Sequence, residues 1–371
     1  MLSEMRKTGI ILSMLAAFSL LLAPSCRKAD PDAPVVNGGQ VEEGYGTLHV
    51  DIGFAGALTK AVTPTDGEKT INALRVYVFD ADGMMDLSHD CTSAEITAMT
   101  LDLLVKTGVK TVVAVANLRY GPLTDADGIM TLDALRSIPS DLSTEGLTNL
   151  LMYGEKEVTV TVGGANTVSV GMVRRCGRVF LHSVKNALPA AYGAFTVKRA
   201  FLCDVYARTF LGGPDTDLGG QWYNAAATCD DGAFHVLYSD AAYKCRNAVV
   251  ETTTVRQLSE TVANGGTYTS TGLFFYGYQN PRTERNNGWF TPYVPKATTL
   301  MVVIAIAGKD YYYPVSLTGG FMANTAYDID LTVAGLGNTV DNAYDRIDKV
   351  TLTVTLSVAD WESGAPVNYE L

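Results

Sequence analysis

The sequence predicts an all-β protein made of two antiparallel β-sandwich domains in tandem, with a few short helices. From residue 69 onward, apolar and polar residues mostly alternate with a period of two, which is the period of a strand with one buried face. Short turn sequences separate these runs, as residues 163–166 do between two valine-rich stretches. Many short strands joined by polar turns are typical of sandwiches.

The predicted boundary between the two sandwiches lies near residue 173, because a new strand pattern begins directly after it. The N-terminal sandwich then spans residues 47–173 and the C-terminal sandwich residues 174–371. Only residues 131–136 and 143–151 indicate short helices. The predicted strands are residues 74–79, 110–116, 158–162 and 168–170 in the first half, and 179–184, 195–206, 271–279, 299–307, 311–317, 327–333 and 349–361 in the second.

A targeting segment precedes the predicted domains. Arg6 and Lys7 are followed by an apolar stretch at residues 9–23, which is typical of a secretory signal peptide over residues 1–25. The stretch is shorter than the roughly 20 residues that a membrane-spanning helix needs. Cys26 follows at once, and this order resembles a bacterial lipobox with an acylated thiol. Ordinary signal cleavage nearby, with Cys26 as an incidental thiol, is the alternative.

Composition favours a globular chain that does not bind nucleic acid. The 371 residues are 18% charged and 47% hydrophobic, and the formal net charge is -11. No cluster of lysine and arginine provides a basic footprint for nucleic acid. Residues 26–46 are rich in Asp, Pro, Gly and Glu, so we expect a solvated tether between Cys26 and the first domain.

Cysteine spacing predicts neither a disulfide framework nor a metal site. Five cysteines besides Cys26 stand at irregular spacing, and an odd number cannot all pair with one another. We expect buried thiols for most of them, although Cys229 and Cys245 are near enough in sequence to bridge. We find no CxxC motif and no His/Cys cluster, so we predict no metal and no cofactor. The five are Cys91, Cys176, Cys203, Cys229 and Cys245.

No catalytic motif stands out, and we predict that the protein is not an enzyme and has no catalytic residues. GxSxG, HExxH, P-loop and GxGxxG elements are absent from any strand-turn-helix context. Asp80, Asp82 and Asp86 around Gly83 resemble a calcium loop but lack the glutamate at its twelfth position. A polar hairpin turn is the favoured interpretation of these aspartates.

Two segments near opposite ends of the predicted body share a strict apolar alternation. Each has one apolar face, because successive side chains of a strand point to opposite sides, and either could fill the same kind of groove. A single trypsin-like cut between Lys60 and Ala61 would free the first strand, residues 47–58, while the second stays attached. The apolar positions are Leu48, Val50, Ile52 and Phe54 in the first segment, and Val350, Leu352, Val354, Leu356 and Val358 in the second.

An ordered set of stretches from residue 47 to residue 362 resembles the fimbrillin family, the FimA-like subunits of type V pili from Bacteroidales-type bacteria. No single stretch is diagnostic, but their order covers nearly the whole predicted body. The stretches are TLHVDIGFAGALTKA, INALRVYVFDADG, KTVVAVANLRYG, MVRRCGRVFLHSV, LFFYGYQNP, KDYYYPVSLTGGFMANTAYDIDLTVAGLG and VTLTVTLSVADWE.

This resemblance implies an outer-membrane lipoprotein precursor with two transthyretin-like domains, acylated on Cys26. It further implies that a trypsin-like protease cuts after Lys60 and removes residues 47–60, the first strand. A C-terminal strand of a neighbouring fimbrial subunit, here residues 349–361 and the tail beyond it, would then fill the groove. The product would be a stalk or tip pilin of a cell-surface fimbria that supports adhesion. Lys60 stands where the family more often has arginine.

Two alternatives remain open at this point. One is an anchor subunit of the same family that keeps its lipid and its first strand. The other is a surface glycan-binding lipoprotein, in which aromatic side chains stack on sugar rings. The interpretation we favour for the residues 311–313 is a strand whose alternate rings pack inside. The aromatic residues concerned are Tyr311, Tyr312, Tyr313, Trp222, Tyr223, Trp289 and Tyr293.

Overall fold

Strands dominate this protein, in agreement with the predicted fold class. The computed structural model describes residues 44–55, 65–118, 131–212, 222–223, 255–285, 296–339, 343, 345–360 and 367–370. The predicted signal peptide, the tether, Cys26, Lys60 and Ala61 lie outside these residues. No helix in the described ranges is long and apolar enough to cross a membrane.

The elements follow one another in chain order with only two short α-helices among the described residues. The strands are β1 (Tyr45–Phe54), β2 (Leu74–Phe79), β3 (Met85–Asp90), β4 (Thr100–Lys106), β5 (Gly108–Ala116), β6 (Pro139–Asp141), β7 (Met152–Val160), β8 (Asn166–Arg174), β9 (Cys176–Asn186), β10 (Phe195–Cys203), β11 (Val205–Tyr206), β12 (Arg208–Phe210), β13 (Trp222–Tyr223), β14 (Val255–Val262), β15 (Thr267–Thr269), β16 (Phe274–Tyr278), β17 (Thr299–Ile306), β18 (Lys309–Ser316), β19 (Thr325–Val333), β20 (Leu352–Asp360) and β21 (Val367–Glu370), and the helices are α1 (Ser93–Ala98) and α2 (Leu132–Arg136).

The strands divide between sheets near the predicted boundary. The strands up to residue 174, except β6, form a seven-stranded sheet in the order β3-β2-β5-β7-β8-β1-β4. Later strands form a four-stranded sheet, β14-β10-β17-β18, and a larger sheet, β13-β11-β16-β9-β19-β20-β21, with β15 paired to β9. A small sheet of β6 and β12 joins the two halves. A division into two sandwich domains at residue 173 stays a prediction.

The sheets are mixed, so the prediction of purely antiparallel sandwiches is wrong in this respect. β1 runs parallel to β8, and β19 runs parallel to β9. An alternating sequence fixes which side chains point inward but carries no information about the direction of the neighbouring strand. Both parallel pairs join strands that are far apart in sequence, where no turn pattern could reveal the pairing.

Buried side chains of β2 and β5 divide between two apolar clusters. Leu74, Val76 and Val78 of β2 belong to a large cluster that also contains the inward face of β1. Tyr77 and Phe79 belong to a second cluster, which α2 covers. Both faces of β2 are therefore buried, as in a strand at the centre of a layered fold.

One helix was predicted correctly, one was predicted wrongly and one was missed. Residues 131–136 contain α2, but residues 143–151 hold only a 3₁₀ turn at Leu142–Thr144. The buried carboxylate of Glu145 accepts hydrogen bonds from the Leu151 amide within the segment and from the Tyr278 hydroxyl of a distant strand, and these bonds compete with a helix. The missed helix is α1.

The aromatic stretch at residues 311–313 lies in β18. Tyr312 is 4% exposed and Tyr313 is fully buried, while Tyr311 is half-buried. The predicted packing inside is therefore confirmed, but neighbouring rings do not alternate between core and solvent as expected. The hydroxyl of Tyr313 donates to the carbonyl of Gly335 at 2.9 Å. Two adjacent buried rings show that both faces of this strand are covered.

Candidate functional site

The first strand, β1, is an inner strand of the seven-stranded sheet. On one side it pairs antiparallel with β4, with Val50 opposite Leu101. On the other side it pairs parallel with β8, where Val50 lies opposite Val168. An inner strand uses the backbone hydrogen-bonding groups of both its edges, so its removal would leave an open slot with two unpaired edges.

The inward face of β1 is the one that the alternation predicted. Leu48 and Val50 are fully buried and Ile52 is 6% exposed. Phe54 is half-buried, and the guanidinium of Arg174 lies 5.3 Å from its ring centroid. β1 ends at Phe54, and Leu58, the predicted end of this strand, lies outside the described residues. Burial of the three core side chains contributes about 5–9 kcal/mol of gross apolar transfer free energy.

The strand at the sheet edge, β4, pairs with β1 and packs against the same apolar cluster. In the sheet order β4 has β1 as its neighbour, and β4 is the last strand in that order among the described residues. Leu101 and Leu103 of β4 are buried against the same apolar cluster as the inward face of β1. A slot left by β1 would therefore need a strand that pairs with β4 and β8 at once.

A charged pair on the outer face also joins β1 to β4. His49 Nδ1 lies 2.7 Å from Asp102 Oδ1, directly across the strand pair, and Nε2 lies 3.3 Å from Asp51. Both acidic side chains are well exposed, so solvent weakens the pair. The hydrogen bond to Asp102 is the main cause that raises the pKa of His49 above 6.5; desolvation opposes it, and the charges of Asp102 and Asp51 add to it.

We predict that β1 is held slightly more tightly in its sheet at mildly acidic pH. A raised histidine pKa in the folded state stabilises the fold fully below the unfolded value near 6.5, and this contribution disappears as pH rises through the raised folded pKa. NMR titration of His49 should give a pKa above 6.5 that falls in Asp102→Asn. In urea unfolding, the His49→Gln precursor should lose a small pH dependence in this window. An unchanged pKa in Asp102→Asn would contradict the pairing.

The second alternating segment forms β20, with its alternation in place. Leu352 is 7% and Leu356 is 3% exposed, and Val354, half-buried, packs against the main apolar cluster. Thr353 and Thr355 between them are exposed. Val358 belongs to β20, but its side chain lies outside the described part of the chain.

The predicted start of this strand was three residues too early. β20 begins at Leu352, and Val350 stands in the preceding turn with 84% of its surface exposed. The amides of Thr351 and Leu352 both donate to the carbonyl of Asp348, which closes a turn where the alternation suggested extended chain. Val350 is therefore not an inward-facing residue in this structure.

In this structure β20 belongs to the sheet of its own chain. It pairs antiparallel with β19 along its whole length, from Leu352 opposite Val333 to Asp360 opposite Thr325. The last strand, β21, pairs with β20 only from Thr355 to Val358. The sequence could not distinguish a strand kept by its own domain from one offered to another chain, since both need the same alternation.

A buried polar network, which the sequence did not predict, fixes residues 65–68, the first residues of the next described range after β1. The fully buried Glu68 carboxylate accepts hydrogen bonds from Arg178 Nη1 at 3.1 Å and from the Tyr276 hydroxyl at 2.7 Å. Arg174 Nε and Nη2 donate to the backbone carbonyl of Glu68 at 3.1 and 2.9 Å. Thr65 and Glu68 hydrogen-bond each other's amides, a T-x-x-E capping box that was visible in the sequence.

The structure also brings together His89, Cys91 and Glu95, contrary to the expectation that no His/Cys cluster exists. Their ligand-type atoms lie within 4.8 Å of one another. Hydrogen bonds explain the arrangement, because Glu95 forms a capping box with Thr92 at the start of α1 and also contacts His89 Nε2 at 3.1 Å. The amide of Thr92, followed by His89, lowers the pKa of Glu95 to about 2. Burial chiefly raises the pKa of the Cys91 thiol to about 12.

Other predicted features follow the expected interpretation where the structure describes them. Cys91, Cys176 and Cys203 are free thiols, and the last two are buried. Asp80 Oδ1 accepts from the amides of Asp82 and Met84 within the β2–β3 turn, so the predicted hairpin is confirmed. Cys229 and Cys245 lie outside the described residues, as do Trp289 and Tyr293.

The fold and this site define a class of protein: mixed β proteins in which the first strand of the described residues is an inner strand of its sheet. Residues 47–183 match the family model of the major fimbrial subunit protein, FimA. This segment is therefore similar to FimA fimbrillins, and it covers about a third of the chain. No curated protein sequence matches the chain.

Solved structures share the fold over most of the chain. A candidate cell adhesion protein from Bacteroides eggerthii DSM 20697 is 19% identical, with a TM-score of 0.62 over 88% of this chain and 99% of that one. A candidate cell adhesion protein from Parabacteroides distasonis ATCC 8503 is 18% identical, with a TM-score of 0.57 over 85% and 99%. The fimbrilin FimA of Porphyromonas gingivalis W83 is 13% identical, with a TM-score of 0.58 over 86% and 98%.

Proposed function

We propose that this protein is a non-enzymatic structural subunit of a cell-surface fimbria, a stalk or tip pilin that supports adhesion. It is exported as a lipoprotein precursor with acylated Cys26 in the outer membrane. A trypsin-like protease cuts between Lys60 and Ala61 and thereby releases β1. A C-terminal strand of another fimbrial subunit then fills the slot between β4 and β8. Polymerisation proceeds by repetition of this exchange.

The observation that carries the proposal is the position of β1 inside its sheet. It is the first strand of the described chain, it has strands on both sides, and its apolar face is buried in the main core. Lys60 follows the end of β1 by six residues, so a cut there separates β1 from the rest of the chain. The slot then presents apolar side chains and two rows of backbone donors and acceptors, which are the requirements for adding a strand.

The C-terminal strands differ in what their release would cost. β20 would have to leave β19, to which it is paired over its full length, and withdraw Leu352 and Leu356 from the core. β21 would leave only its short pairing with β20. We propose β20 as the donor because its alternating Leu352, Val354 and Leu356 match the apolar face of β1. The tail with β21 detaches first, since it has the fewest backbone bonds to lose.

Mass spectrometry of subunits from sheared fibres tests the proposal. Incorporated subunits should begin at Ala61 and carry no lipid. Subunits that begin at an acylated Cys26 would identify a fimbrial anchor, which keeps β1 and its lipid. If the protein is absent from fibres and remains a lipidated monomer, the fimbrial proposal is wrong and a surface glycan-binding lipoprotein takes its place.

A further inference from the structure

Lys69 is a second basic residue close to the proposed cleavage site, and its side chain is exposed. On side-chain exposure alone, the Lys69–Thr70 bond would be a substrate for the same trypsin-like protease. A cut there would remove nine more residues and with them Glu68. We infer that buried contacts on both sides of Lys69 deny this bond to the protease and so fix which residue begins the mature subunit. This inference rests on the proposed maturation.

On the N-terminal side, Glu68 holds the chain by both its side chain and its backbone. Its carboxylate is fully buried and accepts from Arg178 and Tyr276, while its carbonyl accepts two hydrogen bonds from Arg174. Arg174 and Arg178 are each 1% exposed and belong to β8 and β9, and Tyr276 belongs to β16. Charge-assisted bonds of this kind are among the strong ones in proteins. The residue before Lys69 is thus fixed to three strands.

On the C-terminal side of Lys69, Asn117 holds the chain at Thr70, the next residue. Its Nδ2 donates to the carbonyl of Thr70 at 2.8 Å and to that of Leu150 at 3.0 Å. Its Oδ1 accepts from the amide of Asn72 at 2.8 Å. Asn117 is 4% exposed and sits in the left-handed region at φ 61, which asparagine tolerates better than most residues.

Between these two anchors the backbone is a 3₁₀ turn. The amide of Lys69 donates to Asp66 and the amide of Thr70 donates to Gly67, each at 3.2 Å. A protease must draw the residues around the scissile bond into an extended conformation, so cleavage requires the turn and both anchors to open. When opening is rapid and reversible, the cleavage rate follows the population of the open form.

The position of the anchors limits how much of the N-terminal chain the protease can remove. The protease removes β1, but the chain that leads into β2 stays attached to β8, β9 and β16 through Glu68, and to Asn117, the residue that follows β5. Loss of Glu68 along with β1 would remove the buried carboxylate that accepts from Arg178 and the carbonyl that accepts from Arg174. Removal of one partner of a buried ion pair destabilises a fold strongly.

Limited digestion of the full-length precursor with trypsin, read by mass spectrometry of the new N-termini, tests the inference. The background is Lys60→Gln, so that a product beginning at Thr70 does not depend on the upstream cut. The parent should give this product slowly. Glu68→Gln and, separately, Asn117→Gly should each raise its rate about tenfold or more, the equivalent of about 1.4 kcal/mol in opening. Glycine at residue 117 preserves the left-handed backbone and removes only the side-chain bonds.

Asp66→Asn is the matched control. Asp66 is exposed in the same turn and its side chain makes no capping bond, so its substitution should leave the rate unchanged. Rapid cutting at Lys69 in the parent, or unchanged rates in folded Glu68→Gln and Asn117→Gly, would overturn the inference. If Glu68→Gln does not fold, Asn117→Gly decides alone. None of these results depends on whether Lys60 is cut or fibres form, so failure of the proposed function remains distinguishable.

Discussion

Substitution of Lys60 by alanine is expected to abolish fibre assembly by this subunit while the precursor folds and reaches the membrane. A trypsin-like protease needs a basic side chain before the scissile bond, so the uncut chain keeps β1. The slot between β4 and β8 then stays filled by Leu48, Val50 and Ile52, which are buried in the core. Immunoblots should show lipid-anchored precursor in the membrane fraction and subunit in sheared fibres at background level.

Two control variants make this result specific. Lys60→Arg keeps the basic side chain and should restore assembly. Lys69→Ala removes the neighbouring basic residue, which we infer is not cut, and should leave fibre yield unchanged. Normal fibre yield from Lys60→Ala would mean that this lysine is an ordinary solvated residue and that β1 is not released there.

Val354→Asp is expected to block donation of the C-terminal strand. In its own sheet Val354 is half-buried, so the precursor should tolerate aspartate at a modest cost. In the slot vacated by β1, a residue in the place of Val50 would be fully buried, because Val50 has no exposed surface. An unpaired buried carboxylate costs several kcal/mol, and about 3 kcal/mol would weaken subunit association by about 100-fold.

Thr353→Asp provides the matched control, because Thr353 is the adjacent outward residue of β20 and is exposed. It places the same charge on the same strand and should assemble almost normally. Circular dichroism and urea unfolding of both precursors establish that each is folded before fibre yields are compared. Equal polymerisation by two folded variants would show that β20 remains in its own sheet throughout assembly. The donor would then have to be another strand, with β21 the next to test.

The sequence predicted elements well where local periodicity decides the structure. The inward faces of β1 and β20 follow directly from alternation, since a strand has a period of two. Pairing partners could not be predicted, because the parallel neighbours of β1 and β19 come from distant parts of the chain. The false helix at residues 143–151 has a similar cause, since the buried Glu145 bonds to Tyr278 in the other half of the molecule.

The candidate site was predictable only in part, for comparable reasons. The apolar positions of β1 were visible in the sequence, but its place between two strands was not. Glu68 belongs to no predicted strand or helix, although its carboxylate is fully buried against Arg178 and Tyr276. The T-x-x-E spacing from Thr65 could have indicated a capped turn. No residue near Glu68 in the sequence indicated that its partners lie on β9 and β16.

Chemical crosslinking tests the central claim of strand exchange most directly. In a chain that keeps Cys26 for acylation but has its other five cysteines replaced, one cysteine replaces Val170, the neighbour of Ile52 on β8, and a second replaces Leu352, Val354 or Leu356 in three separate variants. Disulfides form only between closely adjacent strands, so testing three positions covers different registers of a strand in the slot. After release of β1, at least one variant should give a ladder of covalently linked subunits from fibres. The uncut Lys60→Ala precursor of the same variant should remain monomeric under the same oxidation. A ladder from the uncut precursor, or only intramolecular bridges in the cut protein, would contradict the account.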